Sequence, residues 1–191
     1  MGKIEIEPTA LGLPMSCVVV SSYEPEQGGN IAAIAYCAIV NAKPPMVAVS
    51  IRPSRHSYSL VKAAGDFVVN VPRADQARLV DLVGVISGRS LDKYDLAGLT
   101  RADASSVKSP LITEFPINME CKLLDVVALP THSLFIGEIV ALHADEAVLD
   151  NAGRLRPDAA PFLVFYNLGY FAIGEKIGEF GFSKASTDNN S

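Results

Sequence analysis

Asn118–His143, NMECKLLDVVALPTHSLFIGEIVALH, holds two long β-type segments, Asn118–Leu129 and Ser133–His143. Both are rich in β-branched and aliphatic residues, and only Pro130-Thr131-His132 separates them. A proline lacks the amide donor a ladder needs, so it ends a strand. A three-residue connection is hairpin length. The stretch therefore predicts a long antiparallel hairpin, and with it a sheet that is not built from β-α-β units.

Working outward, Cys17–Ser22, Met46–Arg52 and Phe67–Val71 read as strands, as do Phe162–Tyr166 and Tyr170–Ile173. Ile31–Val40 reads as one β segment, because Gly28-Gly29 precedes it and the Asn41–Pro45 turn follows it. Helical spacing is confined to Ser57–Ala64, closed by Gly65, to Asp75–Val83 with Asp75 as its N-cap, and to a short piece near Leu91–Leu96. Strands dominate without regular β-α alternation, which argues against a doubly wound parallel sheet. A closed antiparallel barrel with helices over its openings is the economical mainly-β architecture. One domain over residues 1–183 and a polar tail, KASTDNNS at 184–191, account for the chain.

The composition agrees. Of 191 residues, 49% are hydrophobic and 19% charged, enough for a sizeable core. The longest apolar run, Ile31–Val40, is ten residues, whereas a membrane helix needs about 20. The leading MGKIEIEPTALGLPM has no apolar signal core. These features predict a soluble cytoplasmic protein with no membrane partner. The net charge of −5 argues against nucleic acid. Cys17, Cys37 and Cys121 are scattered in apolar surroundings and predict buried free thiols rather than disulfides or a metal site.

Charge is unevenly distributed. No Asp or Glu occurs from Gln27 to Gly65, a window that holds Lys43, Arg52, Arg55, His56 and Lys62. Within it, Ser50–Leu60 (SIRPSRHSYSL) places Arg52 and Arg55 where a strand passes into a helix. A phosphate monoester wants arginine, hydroxyl and backbone N–H donors close together, and Ser57 sits where helix N-terminal amides face an anion. The bland alternatives are a solvated face for the arginines, a cap for Ser57 and a surface position for His56. Independent nucleotide motifs (G-x-G-x-x-G, Walker A) and the H-E-x-x-H and C-x-x-C metal motifs do not occur. His143-Ala144-Asp145-Glu146 lies at a strand end, where polar residues are expected anyway.

Ordered segments along the chain resemble the flavin reductase-like, FMN-binding split-barrel family, and its flavoredoxin branch in particular. They are Asn30–Ala33, Asn41–Tyr58, Gly65–Pro72, Ser87–Tyr94, Ala97–Thr100, Pro116–Lys122 and Gly178–Ser183. The resemblance implies a Greek-key-like split β-barrel, a homodimer, and one non-covalent FMN per subunit near the interface. It places Asn30, Ala32 and Ala33 along the flavin ring with Tyr36 flanking it. It places Ser50, Arg52, Arg55 and Ser57 at the ribityl phosphate region with Lys93 adding charge, His132 approaching the flavin, and Phe165 or Tyr166 beside it. No side chain is implied as a catalyst, because the flavin carries the chemistry. NAD(P)H is the implied co-substrate, and free flavin, a redox partner protein or a small molecule the acceptor. The chain departs from many relatives at Ala33, at Tyr36 and over Asn167–Tyr170. The rivals are an FMN-binding electron carrier without NAD(P)H oxidase activity, and a barrel that binds some other phosphorylated ligand or a protein.

Overall fold

The computed structural model describes residues 2–156 and 158–184; the tail expected at 184–191 lies outside them except for Lys184. In chain order the strands are β1 (Met15–Ser16), β2 (Val18–Ser22), β3 (Asn30–Ile34), β4 (Cys37–Ala42), β5 (Pro45–Ile51) and β6 (Asp66–Val71). They continue with β7 (Arg101–Ala102), β8 (Leu111–Ile112), β9 (Ile117–Ala128), β10 (Ser133–Ala144), β11 (Leu163–Tyr166) and β12 (Gly169–Ala172). Three α-helices, α1 (His56–Ala64), α2 (Ala77–Val85) and α3 (Lys93–Ala97), interrupt them.

Seven strands form one antiparallel sheet in the order β3-β2-β6-β9-β10-β5-β4. The expected hairpin is β9 and β10, paired from Ala128↔Ser133 to Ile117↔Ala144. It inserts between β6 and β5, which gives the Greek-key-like order. β3 and β4 occupy opposite edges of the sheet, yet only Ala35 and Tyr36 join them along the chain. An extended residue advances at most ~3.6 Å, so the two edges must meet at this corner and the sheet must curl. The Ser50 amide holds the corner by donating to the Tyr36 carbonyl at 2.9 Å. No ladder pairs β3 with β4 among the described residues, so the barrel is split and not closed. Ile31–Val40 is accordingly two strands meeting at a bend, not one segment. Both sides of the bend are apolar, so hydrophobicity alone does not mark it.

Alternate residues of three strands fill the barrel: Val18 and Val20, Val47, Val49 and Ile51, Phe67 and Val69. Gly137 on β10 is required here, because a Cβ at that position would lie 2.7 Å from the Phe67 ring. The intervening residues Cys17 and Val19 face a second core with Val80 and Val83 of α2, Tyr94 of α3, and Phe115. β2 is thus covered on both faces, which explains its unbroken apolar run.

Local details correct three expectations. Asp75 is not the N-cap of α2; it lies in a 3-10 turn (Ala74–Gln76) and pairs with Arg73 at 3.2 Å, and the helix starts after Gln76. α1 begins one residue before Ser57, and Ser57 is not its cap. The short third helix is displaced to Lys93–Ala97, because the Asp92 side chain accepts from the Tyr94 and Asp95 amides.

β1, β11 and β12 make a small separate sheet. The β11–β12 turn consists of Asn167 (φ 46°) and Leu168 (φ 64°). Two left-handed residues fit a type I′ turn, whose usual second residue is glycine. A leucine there costs roughly 1–2 kcal/mol relative to a right-handed conformation. Among the described residues no helix is long and apolar enough to cross a membrane.

Candidate functional site

Of the residues that the resemblance places around a flavin, all but Tyr166 line one cleft of about 480 Å³; Lys43 and Lys62 of the acid-free window do not. β3 forms its length. Asn30 stands at one end, followed by Ala32 and Ala33, whose small side chains leave the strand backbone close to the open space. Four steps of ~3.3 Å carry β3 about 13 Å from Asn30 to Ile34, and Tyr36 continues the wall at the corner. Ser50 comes from the end of β5, Arg52 and Arg55 from the turn after it, and Ser57 from the first turn of α1. Lys93 enters from α3, His132 from the β9–β10 turn and Phe165 from β11.

The Asn30 end is cationic. No Asp or Glu lines the cleft, and neither Arg52 nor Arg55 has a carboxylate within ion-pair distance among the described residues. Arg55 is the N-cap residue of nine-residue α1 but makes no side-chain capping bond. The free amides of that first turn therefore add to the positive potential. Ser57 is buried and accepts a hydrogen bond from Asn30 Nδ2 at 2.9 Å, which ties the helix start to the sheet edge.

Arg52 Nε donates to His132 Nε2 at 3.2 Å across 80 residues of sequence. His132 Nδ1 lies 2.8 Å from Thr131 Oγ1. With Nε2 accepting, the proton belongs on Nδ1, and the ring is neutral. Burial and the Arg52 charge both hold the His132 pKa below its usual value. The Tyr36 ring sits 5.4 Å from the imidazole.

Lys93 is 6% exposed and has no carboxylate partner among the described residues. Its Nζ donates to the carbonyls of Ile31 (3.0 Å) and Val83 (2.6 Å). Burial, reinforced by Arg55, lowers its pKa to about 8. An anion in the cleft would offset that desolvation.

Several lining residues had no sequence assignment. Ser54 and His56 lie between the anchors Arg52, Arg55 and Ser57 and line the cleft as well. Ser87 and Gly88 arrive from the segment after α2, and Leu11, Met15 and Leu168 from the chain ends. Gly88 has a steric reason: a Cβ there would lie 1.9 Å from Asn30 Oδ1. Arg89, next to it, donates from Nη2 to the Ser54 carbonyl at 3.1 Å and bridges the two loops at the cationic end. His143 is remote from the cleft and lies against Glu120, with Nε2 2.5 Å from Oε1.

Comparison with known proteins places this geometry in context. The family model described as "Flavin reductase like domain" matches residues 11–174. Flavoredoxin of Desulfovibrio vulgaris (Miyazaki F) is 30% identical with a TM-score of 0.89, over 96% of this chain and 100% of that one. Flavoredoxin from Methanosarcina acetivorans is 26% identical, also with a TM-score of 0.89, over 98% and 100% of the respective chains. An FMN-binding protein from Thermus thermophilus, solved with bound 1-cyclohex-2-enone, is 25% identical with a TM-score of 0.78, over 94% and 97%.

Proposed function

Because the chain belongs to the flavin reductase-like family, on its flavoredoxin branch, we propose that it is an FMN-binding redox protein whose cofactor occupies the cleft along β3. The observation that carries this reading is the cleft's composition. Arg52 and Arg55, neither with a carboxylate partner among the described residues, and a helix N-terminus line it without an acid, and the strand wall is formed by alanines. That arrangement fits a phosphorylated ligand with a flat ring, and the similar FMN-binding protein supports FMN as that ligand.

In this reading Arg52, Arg55, Ser57 and the first-turn amides of α1 hold the phosphate. Ala32 and Ala33 let backbone groups reach the ring edge, and Tyr36 and Phe165 exclude water beside it. Arg52 keeps His132 neutral, with its Nδ1–H directed to Thr131 Oγ1, so that the flavin meets an uncharged imidazole. When bound, FMN would supply the redox chemistry, relaying electrons from NAD(P)H to an acceptor. A homodimer belongs to the same proposal, supported by the exposed apolar residues Ile39 on β4, Leu124 on β9 and Leu142 on β10.

Titration of the purified protein with FMN tests the core of the proposal. Saturable uptake with a perturbed flavin spectrum is expected; a chain that neither carries nor takes up flavin overturns it. Anaerobic addition of NADH and then NADPH separates the two redox readings. Bleaching by either supports a reductase, and bleaching by neither supports the electron carrier.

Lys93 gives the site a pH signature. Around pH 8 about half the Lys93 amines are protonated. A nearby phosphate favours the protonated form, so FMN binding at that pH is expected to take up protons. Affinity should then fall as pH rises further. Calorimetry in buffers of different ionisation enthalpy measures this, and binding heats independent of buffer would remove Lys93 from the anion's surroundings.

A further inference from the structure

Arg89 is an exposed cation with a fixed place. Its Nη2 donates to the Ser54 carbonyl at 3.1 Å, and no carboxylate lies within ion-pair distance of it among the described residues. Holding so long a side chain on one neutral carbonyl costs rotamer entropy, so what that carbonyl belongs to matters.

Arg52 to Arg55 form a turn closed by the Arg55 amide, which donates to the Arg52 carbonyl at 2.9 Å. Pro53 takes its second position, where a fixed φ suits a turn. The Ser54 carbonyl and the Arg55 amide belong to one planar peptide group. That group is held on both sides, by the turn through its N–H and by Arg89 through its C=O. It leads directly into Arg55, whose own carbonyl accepts from the Tyr58 amide at 3.1 Å in the first turn of α1. With the backbone bonded on both flanks, the direction in which the Arg55 side chain leaves it is set.

Arg89 is itself anchored. Gly88 is buried and packs so closely on Asn30 that a Cβ there would lie 1.9 Å from Oδ1. Asn30 Nδ2 donates in turn to Ser57 Oγ at 2.9 Å, in the first turn of the same helix. The loop at 87–89, the start of β3 and the start of α1 thus form a closed ring of contacts, and the Arg89–Ser54 bond is its solvent-exposed link.

We propose that Arg89 is a positioning residue: acting through the Ser54 carbonyl, it holds the turn that carries Arg52 and Arg55 in the shape that grips the FMN phosphate, and so slows release of the cofactor. The inference rests on the flavin reading and on the phosphate lying at Arg55. A turn held in its binding shape before the ligand arrives loses less freedom on binding. The ring closes around the phosphate anchors, so the effect belongs to the phosphorylated flavin.

Stopped-flow fluorescence on the full chain, loaded with FMN or with riboflavin, reads the release rates. Arg89→Ala is expected to speed FMN release about 3- to 10-fold, the scale of ordering one long side chain at a binding surface, and to leave riboflavin release within about twofold. A general loss of stability would move both flavins alike. The faster release should persist at about 1 M salt, where the Debye length is about 3 Å. An effect confined to the association rate and abolished by salt is that of a distant charge, and overturns the inference. Combination with Arg55→Ala supplies a further signature. Because Arg89 works through the turn, its removal should speed release less in the Arg55→Ala background than in the wild type. Full additivity would assign it a phosphate contact of its own and overturns the inference, as do equal FMN release rates in wild type and Arg89→Ala. If FMN binds normally in any of those cases, only the role of Arg89 fails; if FMN does not bind at all, the flavin reading and this role fall together.

Discussion

Arg55→Ala is expected to weaken FMN binding about 10- to 150-fold while leaving riboflavin binding within about twofold. The magnitude is that of one charge-assisted hydrogen bond, roughly 1.5–3 kcal/mol, at about 1.4 kcal/mol per tenfold. The selectivity follows from geometry. Arg55 caps α1 at the cationic end of the cleft and has no carboxylate partner among the described residues. Its removal strands no buried acid, so the fold should keep its stability. Riboflavin lacks the phosphate and has nothing for Arg55 to hold. Parallel fluorescence titrations with the two flavins measure the ratio, and equal losses for both would contradict placement of the phosphate at this end.

Glu120→Ala is expected to cost about 2–4 kcal/mol of stability without changing FMN affinity. Glu120 is fully buried on β9. Its carboxylate accepts from the Ser105 amide (2.7 Å), Ser105 Oγ (2.8 Å) and the Ser106 amide (2.6 Å), and it meets His143 Nε2. Together with Asp66, which accepts from the Lys108 and Ser109 amides, it pins the serine-rich segment before β8 onto the sheet. Removing it leaves those donors without their acceptor.

The same residue sets an acid limit. Burial by itself would raise the Glu120 pKa, but the bonds from Ser105, His143 and Ser106 outweigh burial and hold it below the ordinary 4.5. A carboxyl with a depressed folded-state pKa stabilises the protein fully above its ordinary value. That stabilisation is lost as pH falls through the lowered one. Glu120→Gln should therefore show a shallower decline of stability below about pH 4.5 than wild type, where 4.5 is the ordinary glutamate value. Urea midpoints across that range read the slope, and identical slopes would exclude Glu120 as the titrating group.

Much of this molecule is legible in the order of its residues. The β9–β10 hairpin announces itself because two long apolar segments flank a proline-led turn. The anion end is legible because its anchors, Arg52, Arg55 and Ser57, are neighbours in sequence and lie in a window without acids. The positions of Asn30, Lys93, His132 and Phe165 were not legible from spacing and entered through the family resemblance.

Other features exist only in three dimensions. Capping and bending are decided by competing local bonds, so Asp75 went to a 3-10 turn and Ile31–Val40 broke at Ala35–Tyr36. Gly88 looks like loop punctuation until Asn30 occupies the space its side chain would need. The partner of Arg52 is a histidine 80 residues away, a pairing no local pattern encodes. Leu168 reads as an ordinary hydrophobic residue, and only its left-handed backbone and its place on the cleft mark it out. The sequence by itself determined the antiparallel β character and the charge of one end of the site, because periodicity and composition are local quantities. Tertiary structure alone decided the split of the barrel and the meeting of Asn30 with Ser57 and of Arg52 with His132 in one cleft, because both depend on residues far apart in the chain that meet only when the sheet curls.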